Sequence, residues 1–130
     1  QISFVGSKTN DECSPLCKAD CGCTSMRFLP KAAFDGLVIL AINTGPITVT
    51  GGTENYILSS TGQTVHQTHG PGKPVVDLRF NERLDMLITK NGVRLPDTSR
   101  GESVYELTIG NLRVGAVKEK DHWHLVFIAI

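Results

Sequence analysis

The side chains that could do chemistry are few and grouped. All four histidines of the 130-residue chain lie in two pairs, His66-x-x-His69 and His122-x-His124. In a β-strand, residues i and i+2 point to one face about 6 to 7 Å apart, so His122 and His124 can place two imidazoles on one metal ion. A loop carrying His66 and His69 across that face would supply a third ligand and leave a coordination position for water, the arrangement of a hydrolytic or hydrating zinc site. Glu119 and Asp121 are the nearest acidic residues. The competing reading is structural: His122 follows a polar turn and His124 flanks Trp123, so both can be ordinary strand side chains.

Cys13, Cys17, Cys21 and Cys23 fall within one short run, and the rest of the chain has no cysteine. Two disulfides in an oxidising compartment or a four-thiolate metal site in a reducing one are the physical alternatives. The spacing lacks the Cys-x-x-Cys knuckle of a zinc ribbon, which favours disulfides and a secreted or extracellular protein. A Cys21 to Cys23 bond closes too small a ring. That leaves Cys13 with Cys21 and Cys17 with Cys23, or Cys13 with Cys23 and Cys17 with Cys21. Loops this short remove little unfolded-state entropy, so such bonds would shape a local segment rather than hold the domain together. The start at Gln1 and the apolar end His-Leu-Val-Phe-Ile-Ala-Ile read as a processed module of a larger protein.

Other catalytic signatures are missing. The chain has no nucleophile elbow, no His-Glu-x-x-His, no phosphate-binding loop and no dinucleotide fingerprint. A cysteine nucleophile is disfavoured because every thiol sits among partners for oxidation. Asp77, Asp85, Glu102 and Glu106 are the carboxylates that could meet for glycoside hydrolysis, although nothing separates them from a solvated face. No run has the Asp/Asn/Gly spacing of a calcium loop.

The elements that must position these groups read as strands. After residue 24, short runs of Val, Ile, Leu, Thr, Phe and Tyr alternate with Gly, Asn, Asp and Pro, with no evident helical periodicity. The expectation is an all-β fold, an antiparallel β-sandwich or barrel over 25–130, behind a small disulfide-rich N-terminal segment, 1–24. Strands are expected at 2–5, 26–29, 37–42, 47–50, 56–59, 64–68, 75–80, 84–89, 92–95, 103–109, 112–117 and 122–130. Gly110-Asn111 and Asn91-Gly92 read as hairpin turns and 118–121 as a longer polar turn, making the last three strands a meander. Tyr105, Leu107 and Ile109 share one face of their strand. In the last strand Trp123, Leu125 and Phe127 oppose Val126, Ile128 and Ile130, so it should lie centrally. The stretch 60–74 is polar, broken by Gly and Pro, and reads as an exposed loop.

Phe34-Asp35-Gly36 and Asn91-Gly92-Val93-Arg94-Leu95-Pro96 resemble segments of the von Willebrand type D extracellular domain. That resemblance implies an extracellular β module. Such domains carry cysteines throughout the body, however, and none lies beyond Cys23 here, so no family is assigned.

Charge narrows the partners. Thirteen basic and thirteen acidic residues balance, leaving no surplus for phosphate neutralisation or polybasic membrane attraction, so neither nucleic acid nor a lipid surface is expected. No stretch reaches the roughly 20 apolar residues of a membrane span. The leading expectation is therefore a non-enzymatic extracellular binding or adhesion module that needs no cofactor and recognises a protein, or a glycan, through surface loops. Thr64, His66, Gln67, His69, Lys73, Arg94 and Arg100 are its candidate contact residues. Two alternatives stand beside it: a metalloprotein or metalloenzyme on His122 and His124 with a loop histidine, and a structural subunit forming homo-oligomers through its apolar C-terminal strand.

Overall fold

A computed structural model of the chain describes residues 2–4, 16–18, 24, 26, 28–53, 55–57, 69 and 72–130, with the backbone alone for Phe4, 16–18 and 55–57. The elements run β1 (Ile2–Phe4), β2 (Leu16–Lys18), α1 (Lys31–Thr44), β3 (Ile47–Gly51), β4 (Asn55–Ile57) and β5 (Val75–Arg79). They continue with α2 (Glu82–Asn91), β6 (Val93–Leu95), β7 (Ser103–Ile109), β8 (Leu112–Lys118) and β9 (His122–Ala129).

Seven strands form one open mixed sheet in the order β1-β3-β5-β9-β8-β7-β6. Only β1 and β3 run parallel within it; the other neighbours are antiparallel. β2 and β4 pair in parallel as a separate two-stranded ribbon. The molecule is thus mostly β as expected, but it is not all-β. The sheet is open, and two helices lie against it.

Period-two alternation decides which side the helices cover. Trp123, Leu125 and Phe127 of β9, Val76 and Leu78 of β5, Ile47 and Val49 of β3, and Val114 and Ala116 of β8 are buried on one face. Ala33, Leu37 and Leu40 of α1 and Leu84 and Ile88 of α2 join them in one apolar cluster. Each fully buried Leu or Phe there is worth about 1.5–3 kcal/mol. Trp123 anchors the cluster: its Nε1 donates to Asp85 of α2 at 2.7 Å, and its ring meets the edges of Phe80 and Tyr105. Helix α1 can approach β9 because residue 36 is glycine; a Cβ there would lie 2.3 Å from the Phe127 ring.

The two helices correct the expected strands at 37–42 and 84–89. In α1 the buried positions Ala33, Gly36, Leu37, Leu40 and Thr44 follow helical spacing. The small and polar members hide that period, and Val38-Ile39 gives the run a strand-like composition. In α2 the side chain of Asn81 accepts the Leu84 N–H at 2.8 Å, an N-cap, and Glu82 and Asp85 lie in the first turn, where the helix dipole favours acid. Asn91-Gly92 is therefore no hairpin. The Gly92 N–H closes the helix on the Ile88 carbonyl, and β6 follows. Of the strand expected at 26–29, the described residues 26, 28 and 29 lie in none: the Leu29 N–H turns back to the Met26 carbonyl, with Phe28 at a positive φ of 58°.

Strands β7, β8 and β9 lie where they are expected, while the strand expected at 64–68 and most of the polar stretch 60–74 lie outside the described residues. Gly110-Asn111 joins β7 to β8, with Gly110 at φ +53°. β9 is central in the sheet, with one face in the core and the other half-buried until Ile128 and Ile130, which are exposed. No helix among the described residues is long and apolar enough to cross a membrane.

Candidate metal centre

The face of β5 and β9 turned away from the helices carries Asp77, Arg79, His122 and His124. Register brings them together. Asp77 pairs directly with His124, and Arg79 with His122; cross-strand partners on one face hold their Cβ atoms roughly 5 Å apart. On the far side of β5, Asp77 pairs with Gly51 of β3. The β8–β9 turn closes with the Glu119 N–H on the His122 carbonyl at 3.0 Å, which folds the Glu119 side chain back toward the same histidines. His69, from the long polar segment, completes the group.

Asp77 lies at the centre. Its Oδ1 is 3.0 Å from His124 Nδ1. Its Oδ2 is 3.1 Å from His69 Nε2 and 3.4 Å from His122 Nε2. His69 and His124 meet edge to face with ring centroids 5.2 Å apart. Only 16% of the Asp77 side chain is exposed. Burial alone would raise its carboxyl, but hydrogen bonds with His124 and His69 and the charges of His69 and His122 outweigh that and bring it down to about 2.

Around this centre stand two more carboxylates. Glu119 Oε1 lies 3.0 Å from His122 Nε2, and Glu119 Oε2 lies 3.9 Å from His124 Nδ1. Asp121 Oδ1 lies 2.7 Å from His122 Nδ1. Burial lowers the His122 pKa, but the hydrogen bond with Asp121 and the charges of Asp77 and Glu119 reverse that and leave it raised. The same bond holds the Asp121 carboxyl below its usual range.

Protonation logic singles out His69. A backbone carbonyl can only accept, so His69 Nδ1 donates its hydrogen to Gly52 at 2.8 Å. The Asp77 carboxylate, ionised at neutral pH, can also only accept. A neutral imidazole has one N–H, already used on Gly52. The His69 Nε2 facing Asp77 must therefore carry a second proton or meet a metal cation. His69, Asp77 and His124 each offer one ligand atom, and the three atoms lie within 4.8 Å of one another. Donors about 2.1 Å from a tetrahedral zinc stand about 3.4 Å apart, so little rearrangement is needed to converge on one ion. A ligand histidine whose other nitrogen donates to a backbone carbonyl is also the usual outer arrangement of metal sites.

Comparison with known proteins finds no matching family, no matching curated protein and no matching solved structure. The reading of the site therefore rests on its own geometry.

Of the candidate residues from sequence, His69, His122 and His124 come together. His69 and His124 stand in the three-donor group with Asp77, and His122 borders it. His66, Thr64 and Gln67 lie outside the described residues, as do Cys13, Cys21 and Cys23, while Cys17 is described only as backbone of β2. Lys73 is exposed. Arg94 and Arg100 are elsewhere: β6 is the opposite edge of the sheet, three places from β9. Arg94 is tied to Asp97 at 2.6 Å and to the Leu95 carbonyl, and Arg100 faces Glu102 at 3.5 Å. Asp85, Glu102 and Glu106 do not join Asp77. Asp85 bonds Trp123 on the helix side, and Glu106 faces Arg113. Asp77 as the centre is the residue that sequence reasoning missed. Its signal was a lone carboxylate inside the apolar run Val75-Val76-Asp77-Leu78, a position that only a partner makes tolerable.

Proposed function

We propose that this protein is a metal-dependent hydrolase with one zinc ion held by His69 Nε2, Asp77 and His124 Nδ1. The observation that carries this reading is His69, whose two ring nitrogens both face acceptors, so that a second proton or a metal cation must stand between its imidazole and Asp77, in a group of three side chains whose ligand atoms lie within 4.8 Å of one another. Two histidines and a carboxylate leave a fourth position for water, and zinc lowers that water's pKa to about 7.

Glu119 supplies the general base. It stands 3.9 Å from His124 Nδ1 and would reach a water on a metal held there without belonging to the donor group. A zinc held there would supply an activated water and polarise a carbonyl; Glu119 would take a proton from that water and return it to the leaving group as the bond to it breaks. His122, whose pKa its carboxylates raise, faces the same space and in its protonated form would stabilise negative charge developing on the substrate oxygen. The same donor set also serves non-haem iron(II), but a base and an acid beside the donors favour water activation over redox chemistry.

The test is stepwise. Calorimetric titration of metal-stripped protein with zinc should give one site, lost in Asp77→Asn and His124→Ala. Glu119→Gln should keep the zinc while hydrolysis of a generic activated ester falls by at least about a hundredfold, the usual scale for a general base. A wild-type protein that binds no zinc at micromolar concentration would sink the reading.

A further inference from the structure

The end of β3 departs from regular pairing. Val49 pairs with Leu78 but Gly51 pairs with Asp77, so Thr50 is the extra residue of a bulge. Bulges re-aim the chain next to functional groups. Here two glycines leave the bulge against two of the metal ligands. A Cβ on Gly51 would lie 2.8 Å from Asp77 Oδ2 and 3.4 Å from its Cγ, so the carboxylate occupies the space that any other side chain at 51 would take. The next carbonyl, that of Gly52, accepts His69 Nδ1–H at 2.8 Å and so leaves Nε2 to face Asp77 Oδ2 at 3.1 Å. Gly51 and Gly52 are both buried.

Building on the zinc reading above, we propose that the Gly51-Gly52 bulge is a positioning element of the centre: Gly51 admits the Asp77 carboxylate and Gly52 sets the metal-binding tautomer of His69. The bulge touches no substrate and acts only through the ligands.

Gly51→Ala separates this role from a general packing role. The atom it meets is the end of a short side chain that can swing away, so the fold should survive while the carboxylate leaves the metal. Zinc affinity, measured by competition with a chromophoric chelator, should fall 10- to 100-fold, the range for lost outer support. The visible spectrum of the cobalt(II)-substituted protein should change in the same variant. Gly115→Ala is the control: it lies on the same face in β8 with nothing within 4 Å of its new Cβ, and its zinc affinity should match wild type.

If Gly51→Ala fails to fold, adding Asp77→Ala should restore folding by removing the group it collides with; a double variant that stays unfolded overturns the proposal. Wild-type zinc affinity and cobalt spectrum in Gly51→Ala overturn the positioning role while leaving the metal centre standing. No zinc binding by wild type overturns both.

Discussion

Strands β5 and β9 present two surfaces built on the same backbone. Odd-numbered positions of β9 put Trp123, Leu125 and Phe127 under the helices, all essentially without exposure. The even-numbered positions put His122 and His124 beside Asp77. The first surface gains free energy from every contact it makes. The second sets ionisable groups half out of water, where desolvation consumes much of what their pairing returns. Stability and chemistry are thereby assigned to alternate residues of one strand, and substitution should separate them.

The largest separation is expected at neighbouring sites. Phe127→Ala removes a fully buried ring and should cost about 3–5 kcal/mol in urea unfolding of the metal-free protein. His124→Ala, three residues earlier and on the other face, should cost much less in that assay and abolish the rise in Tm that zinc gives wild type. At a hundred times Kd that rise corresponds to about 2.7 kcal/mol, because zinc binds the folded state alone. Equal destabilisation by the two variants would mean that the faces are not independent.

This separation also explains what the sequence revealed and what it hid. Strands with one wet face show strict alternation, so Ser103–Ile109 stands out before any coordinates exist. Helix α1 does not. Its buried stripe runs through Gly36 and Thr44, while Phe34 and Ile42 on other faces remain exposed, and the apolar count alone cannot assign a period. Helix α2 was legible in principle through the Asn81 cap, but Leu87-Ile88-Thr89 before Asn91-Gly92 has the composition of a hairpin arm. The site was half legible. Histidines at i and i+2 announce a shared face, and the loop partner is narrowed by sequence to His66 or His69. The pairing of β5 with β9 is a matter of sheet order, which local pattern does not encode, so Asp77 stood out as a lone carboxylate in an apolar run but its histidine partners followed only from that order.

Acid should expose the second surface next. Asp77 has its carboxyl brought down from 3.8 to about 2 by partners that exist only in the folded chain. A lowered folded pKa means that the stabilisation is present above the unfolded value and is lost as pH falls from about 4 through 2. The shift corresponds to about 2 kcal/mol. The urea midpoint of metal-free wild type should therefore drop over that interval. Asp77→Asn should start less stable and show a shallower drop, and parallel curves for the two proteins would remove Asp77 as the source.

The smallest effect is expected at the other end of the pH scale, from His122. Its pKa is raised in the folded state because hydrogen bonding to Asp121 and the charges of Asp77 and Glu119 overcome its burial. The sign is opposite to that of Asp77: the stabilisation is complete below the unfolded value of about 6.5 and fades as pH rises through the folded one. Metal-free wild type should lose a few degrees of Tm between pH 6 and 8.5, and His122→Gln should lose less. Zinc should reverse the trend. Ligands must shed protons to bind zinc, so the zinc-loaded protein gains stability over the same interval. A metal-free curve that falls while the zinc-loaded curve rises is the signature of one cluster of imidazoles holding either protons or a metal, and two curves of the same slope would mean that zinc binds somewhere else.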